Sequence, residues 1–183
     1  LVRALDGDEE EYGRRRRQRV GPAPHDAPPS DATMAEMGMA EATAALREHL
    51  AVTRVAEAAC RRLGTLTKGV AKFSEPLQRE GVKAVVDAMR AHPQASQVQV
   101  TGCFALKNLT RALSTAGRQA AAEAGAIGAV LNAMRADLQD STVQVLGFAA
   151  LTTLCYGYDA LVLRAAEAGA LQVAVAAMRS HPQ

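Results

Sequence analysis

Apolar residues fall at i, i+3, i+4 and i+7 in three separated stretches of the chain. Val82, Val85, Val86 and Met89 form one, and Ile127, Val130, Leu131 and Met134 form the next. Leu171, Ala174, Val175 and Met178 repeat the stripe, and Met39, Ala42, Thr43 and Leu46 give a diluted version upstream. That spacing places each set on one face of a helix and predicts that the face is buried. A further pattern follows: Val98, Gly102, Leu106 and Leu109, then Val143, Gly147, Leu151 and Leu154. These also share a helical face, with a glycine where two helices cross.

The stripes are copies of one another. They run into AMRAHPQ at 88–94, AMRADLQ at 133–139 and AMRSHPQ at 177–183. Met89, Met134 and Met178 are separated by 45 and 44 residues, and Gly81, Gly125 and Gly169 recur every 44. Gln99, Gly102, Leu106 and Leu109 return 45 residues later as Gln144, Gly147, Leu151 and Leu154. A weaker copy lies 43 residues upstream, where Ala59, Cys60, Leu63 and Leu66 match Gly102, Cys103, Leu106 and Leu109. A period of 43–45 with helical patterning predicts a helical solenoid.

Each unit reads as three helices. The glycines closing LQREG, AAAEAG and RAAEAG suit a left-handed position that stops the first helix. The stripe is the second helix. The third opens with Ser96 and Gln99 in one copy and Ser141 and Gln144 in the next, the S-x-x-Q spacing of a capping box, so the glutamines are expected to be caps.

The segment EAGAIGAVLNAMRADLQDSTVQVLGFAALTTL resembles an armadillo repeat: short helix, glycine, second helix, then V-Q-x-x-G/A-x-x-A-L-x-N/T-L. The resemblance covers residues 34–183, about three and a half repeats. It implies an all-α, armadillo-type right-handed α-solenoid with units at about 38–80, 81–124 and 125–168 and a partial unit at 169–183. It also implies that the third helices line a concave groove. Family members that grip extended peptides use a third-helix Asn with a large aromatic four residues earlier. Phe104 and Asn108 match that pair, but the neighbouring units offer Arg61 with Thr65 and Ala149 with Thr153. The ladder is therefore broken, which argues against binding of nuclear-import signals.

The expected partner-binding strip comprises Arg61, Thr65 and Lys68, then Phe104, Lys107, Asn108 and Arg111, then Thr153 and Tyr156. It is basic at one end and neutral at the other, so the expected partner is a protein or peptide with an acidic segment.

Composition narrows the remaining classes. Net charge is +2 and aromatics are 3% with no Trp, which offers nucleic acid neither a basic field nor stacking platforms. The apolar run 141–158 carries Gln144, three Thr and two Gly and falls short of the roughly 20 apolar residues of a membrane span. Cys60, Cys103 and Cys155 form no CxxC pair, which points to reduced thiols and a cytoplasmic setting, with the nucleus as the alternative.

Residues 1–33 differ in kind. An acidic cluster (Asp6, Asp8, Glu9, Glu10, Glu11) runs into Arg14, Arg15, Arg16, Arg17 and Arg19, then into Pro22, Pro24, Pro28 and Pro29. Such a stretch is expected to be a disordered tail or linker. Its arginines read as a nuclear-import signal, a grip on an anionic surface, or a solvated linker.

No phosphate-cradling glycine loop or H-E-x-x-H motif appears. His49, His92 and His181 recur at the end of the second helix, where they are expected to bond the last carbonyls rather than hold a metal. Cys60 and Cys103 share a repeat position and are expected to be core thiols. The chain is thus expected to have no catalytic residues, no cofactor and no metal, and to serve as a protein-interaction scaffold. Two alternatives are a regulatory armadillo segment of a larger signalling enzyme, such as a leucine-rich-repeat kinase or a ubiquitin ligase, and a nuclear-transport adaptor. The stripe of Leu171, Val175 and Met178 has no third helix after it, so further repeats or another subunit are expected at that end.

Overall fold

The computed structural model describes residues 27–68 and 73–181. Among these residues the chain is all helix, with no strand. The helices are α1 (Asp31–Glu36), α2 (Met39–Glu48), α3 (Thr53–Leu66), α4 (Glu75–Ala91), α5 (Ser96–Arg111), α6 (Thr115–Glu123), α7 (Ala126–Ala136), α8 (Ser141–Cys155), α9 (Asp159–Glu167) and α10 (Ala170–Ser180). The acidic cluster and the arginine run lie outside the described residues. Helix begins slightly ahead of the expected boundary at residue 34, because the Ser30 hydroxyl caps α1 by accepting from the Thr33 amide at 3.1 Å.

Two rows of helices carry the packing. In one, α3 packs on α5 and α5 on α8; in the other, α2 packs on α4, α4 on α7 and α7 on α10. The rows meet where α2 lies on α3, α4 on α5 and α7 on α8. The core fills that seam, and the sequence stripes of α4 and α7 are inside it: Val82, Val85, Val86, Ile127, Val130 and Leu131 are all buried. Cys60 and Cys103 are core thiols, as their repeat position suggests.

Gly125 and Gly169 stop helices as expected, with φ of 98° and 94° in the left-handed region. At Gly169 the chain turns by 64° from α9 into α10. Gly81 does not act this way. It sits inside the uninterrupted helix α4, buried against Met39 Cε and Leu109 Cδ2. The spacing accounts for the difference. Gly81 precedes Met89 by eight residues, whereas Gly125 and Gly169 precede Met134 and Met178 by nine. The unit that lacks the extra residue is the one that stays helical across the joint.

The glutamines are not capping-box residues. Ser96 and Ser141 are the first residues of their helices, and the N-cap positions belong to Ala95 and Asp140. Asp140 caps α8 through its own carboxylate, accepting from the Thr142 and Val143 amides. Gln99 instead turns its amide onto the end of α4, donating to the Met89 carbonyl at 3.0 Å and the His92 carbonyl at 2.8 Å. Gln144 repeats this on the end of α7, reaching the Met134 and Asp137 carbonyls at 2.8 and 2.9 Å. Helix ends leave carbonyls without partners, and here the next helix supplies the donor.

The His92 ring also bonds across units and not to the carbonyls of its own helix. Its Nε2–H donates to the Leu50 carbonyl at 2.7 Å, and Nδ1 lies 3.2 Å from the Thr53 hydroxyl. The arginines that follow Leu46, Met89 and Met134 add a further tie. Arg47 donates to the Glu80 carbonyl at 3.4 Å and Arg135 to the Ala168 carbonyl at 2.6 Å. Arg90 packs over Gly125 in the equivalent place.

Among the described residues, no single helix is long and apolar enough to cross a membrane.

Candidate functional site

Because α3, α5 and α8 lie side by side, the side chains they leave uncovered form one strip. Helical periodicity decides which these are: residues three and four apart share a face. On α5 the outward face carries Gln97, half-buried Val100, Phe104 and Lys107, and exposed Arg111. On α3 it carries Arg54, Arg61 and Thr65, with Lys68 just past the helix. On α8 it carries Val145, Thr152 and, just past the helix end, Tyr156, the last 74% exposed.

Most of the expected residues are on this strip, but not all of them are available. Arg61 is exposed and pairs with Glu57 one turn earlier. The Thr65 hydroxyl is exposed and bonds back to the Arg61 carbonyl at 2.8 Å. Lys68 and Arg111 are exposed, and neither forms an ion pair among the described residues. Phe104 is half-buried and packs directly over Gly64, where a β-carbon would collide with its ring. Lys107 lies over that ring, its ammonium 5.8 Å from the centroid, within the range of a cation–π contact.

Asn108 is a correction. It is 2% exposed and donates its side-chain amide to the Gly64 carbonyl at 3.0 Å. It joins α5 to α3 and presents nothing outward. Thr153 is likewise turned inward, its hydroxyl 3.0 Å from that of Thr110 on α5 and 2.9 Å from the Ala150 carbonyl. The outward residues are their neighbours Lys107 and Thr152. The strip keeps Phe104 and Arg111 and runs between them through Lys107, not Asn108.

Sequence reasoning also passed over Arg54, Glu57 and Val145. Arg54 and Glu57 fall seven and four residues before Arg61 on α3, so spacing alone could have added them. With Asp31, Met34 and Arg62 they line a cleft of about 290 Å³ between α1 and α3, at the basic end of the strip. Its charges are largely matched within the cleft. Arg54 meets Asp31 at 2.7 Å, and Arg62 donates to the Met37 carbonyl at 2.7 Å.

Burial favours the protonated form of the two core thiols. Burial pushes Cys60 up to about 12, with the neighbouring Cys103 adding to the shift, and burial alone takes Cys103 to about 12. Cys155 is raised by partial burial. Among the described residues, no three His, Cys, Asp or Glu side chains gather in a way that could hold a metal ion.

Comparison with protein families, with curated proteins and with solved structures finds no match to this chain.

Proposed function

We propose that this chain is an armadillo-type right-handed α-solenoid segment that acts as a protein-interaction scaffold. It holds an extended partner segment across α3, α5 and α8. The observation that supports this reading is the change of character along one continuous strip. Lys68 stands at one end beside Arg54 and Arg61, which are ion-paired with Asp31 and Glu57; Phe104, Lys107 and Arg111 lie in the middle, and Val145, Thr152 and Tyr156 at the other end. A partner with acidic residues toward one end and apolar residues toward the other complements it. The strip lies on helices fixed by a packed core, so the scaffold loses little freedom on binding.

Recognition in this reading rests on side chains and not on a ladder of asparagines gripping the partner backbone. Asn108 is the one residue that could begin such a ladder, and its amide is already engaged with Gly64. That weighs against the nuclear-transport adaptor. Three free thiols fit a reducing compartment, and the cytoplasm is the setting proposed, with the nucleus as the alternative.

Selection from a library of extended peptides tests the proposal, with an Arg61→Glu/Arg111→Glu variant as the counter-selecting bait. Enrichment of sequences with an acidic end and an apolar end supports it. Enrichment with no charge preference, or equal recovery on both baits, contradicts it.

A further inference from the structure

Helix α10 repeats the stripe of α4 and α7 but lacks their cover. Leu171, Val175 and Met178 occupy the places held by Val82, Val86 and Met89 on α4 and by Ile127, Leu131 and Met134 on α7. Those six are at most 3% exposed, whereas the α10 residues are 67%, 47% and 76% exposed. Three large apolar side chains on one helical face form a patch that a partner is expected to cover.

The covered copies show what that partner must offer. Over α4, helix α5 sets Gly102 against Met89 and turns Gln99 onto the carbonyls of Met89 and His92. Over α7, helix α8 sets Gly147 against Met134 and turns Gln144 onto the carbonyls of Met134 and Asp137. Both covers read Val-Gln-x-x-Gly, with Val98 and Val143 buried beside the glutamine. The carbonyls equivalent by position at the end of α10 are those of Met178 and His181.

We propose that the α10 face docks one amphipathic helix of the Val-Gln-x-x-Gly kind, the third-helix type of this repeat. Its glycine seats on Met178, and its glutamine amide bonds the Met178 and His181 carbonyls. The occupant is not a second copy of the described fold. Its two Val-Gln-x-x-Gly helices are already committed, with Gln99 and Gln144 each 5% exposed. The proposal uses a different surface from the strip on α3, α5 and α8 and does not rest on the binding role given to that strip.

A fluorescein-labelled peptide of residues 95–112, titrated into the full chain and followed by anisotropy, tests this. Saturable binding is expected. Met178→Asp in the protein should weaken it by about tenfold or more, as should Gly102→Leu or Gln99→Ala in the peptide, each removing a packed contact or two hydrogen bonds. Lys83→Glu, at an exposed site on α4 outside both surfaces, should leave it unchanged. Met178 is largely exposed, so its replacement should keep the fold, and an unchanged circular dichroism spectrum checks that. Absence of saturable binding overturns the proposal, and so does equal affinity for the Gly102→Leu peptide. Self-association in sedimentation velocity that Met178→Asp abolishes would assign the face to a second copy and also overturn it.

Discussion

Met134 lies so close over Gly147 that a β-carbon on the glycine would stand 2.6 Å from both the methionine Cγ and Sδ. Met89 and Gly102 stand in the same relation one unit earlier, again with 2.6 Å to Cγ. A glycine costs a helix about 1 kcal/mol relative to alanine. Its place here follows from the methionine that must pass over it.

Gly147→Ala should therefore destabilise the chain. Overpacking of about 1–3 kcal/mol outweighs the gain of about 1 kcal/mol in helix propensity. Urea denaturation measures the difference. Met134→Ala in the same chain should remove most of the added penalty, giving a coupling of about 0.5–3 kcal/mol in the double-mutant cycle. Additive effects would mean that the two residues do not touch.

The glutamine clamps make a separable prediction. Gln144→Leu strands the buried Met134 carbonyl and the Asp137 carbonyl and should cost about 1–3 kcal/mol. Ser141→Ala should be nearly neutral, because Ser141 is not the cap. Asp140→Ala should cost about 1 kcal/mol as a lost N-cap. A large loss at Ser141 with none at Asp140 would restore the capping-box reading.

Why the sequence revealed some of these relationships and hid others has a physical answer. The repeat period and the buried stripes follow from apolar spacing, which depends only on helix geometry, so Met89, Val86 and Leu131 could be placed without a structure. The glutamine role could not, because S-x-x-Q satisfies two geometries equally. The residue can reach back to its own helix start or sideways to the end of the previous helix, and only packing chooses. Asn108 was misplaced because helical spacing fixes a face to within about one residue, and one residue decides between Asn108 buried and Lys107 outward. The continuous helix through Gly81 was legible in the eight-residue spacing to Met89, once that is set beside nine in the other units.

Thiol titration should lower stability at high pH. Cys60 and Cys103 have folded pKa values raised to about 12 from 9.0. The unfolded chain therefore releases these protons first. The stability they contribute is fully present below pH 9 and is lost as pH rises from there toward 12. The loss approaches about 1.4 kcal/mol per pH unit for each thiol. Denaturation midpoints between pH 8 and 11 check this, and Cys60→Ala with Cys103→Ala should flatten the slope. Under native conditions a thiol reagent at pH 8 should label Cys155 well before either buried thiol.

The strip across α3, α5 and α8 is tested most directly by stopped-flow kinetics with a selected peptide that has one acidic and one apolar end. Arg61→Glu/Arg111→Glu should slow association by about tenfold at low salt and flatten its salt dependence, since charges chiefly set the encounter rate. Tyr156→Ala, at the exposed apolar end, should leave association alone and speed dissociation. Association and dissociation rates unchanged by all three substitutions would contradict the account, and would place the partner on a surface other than α3, α5 and α8.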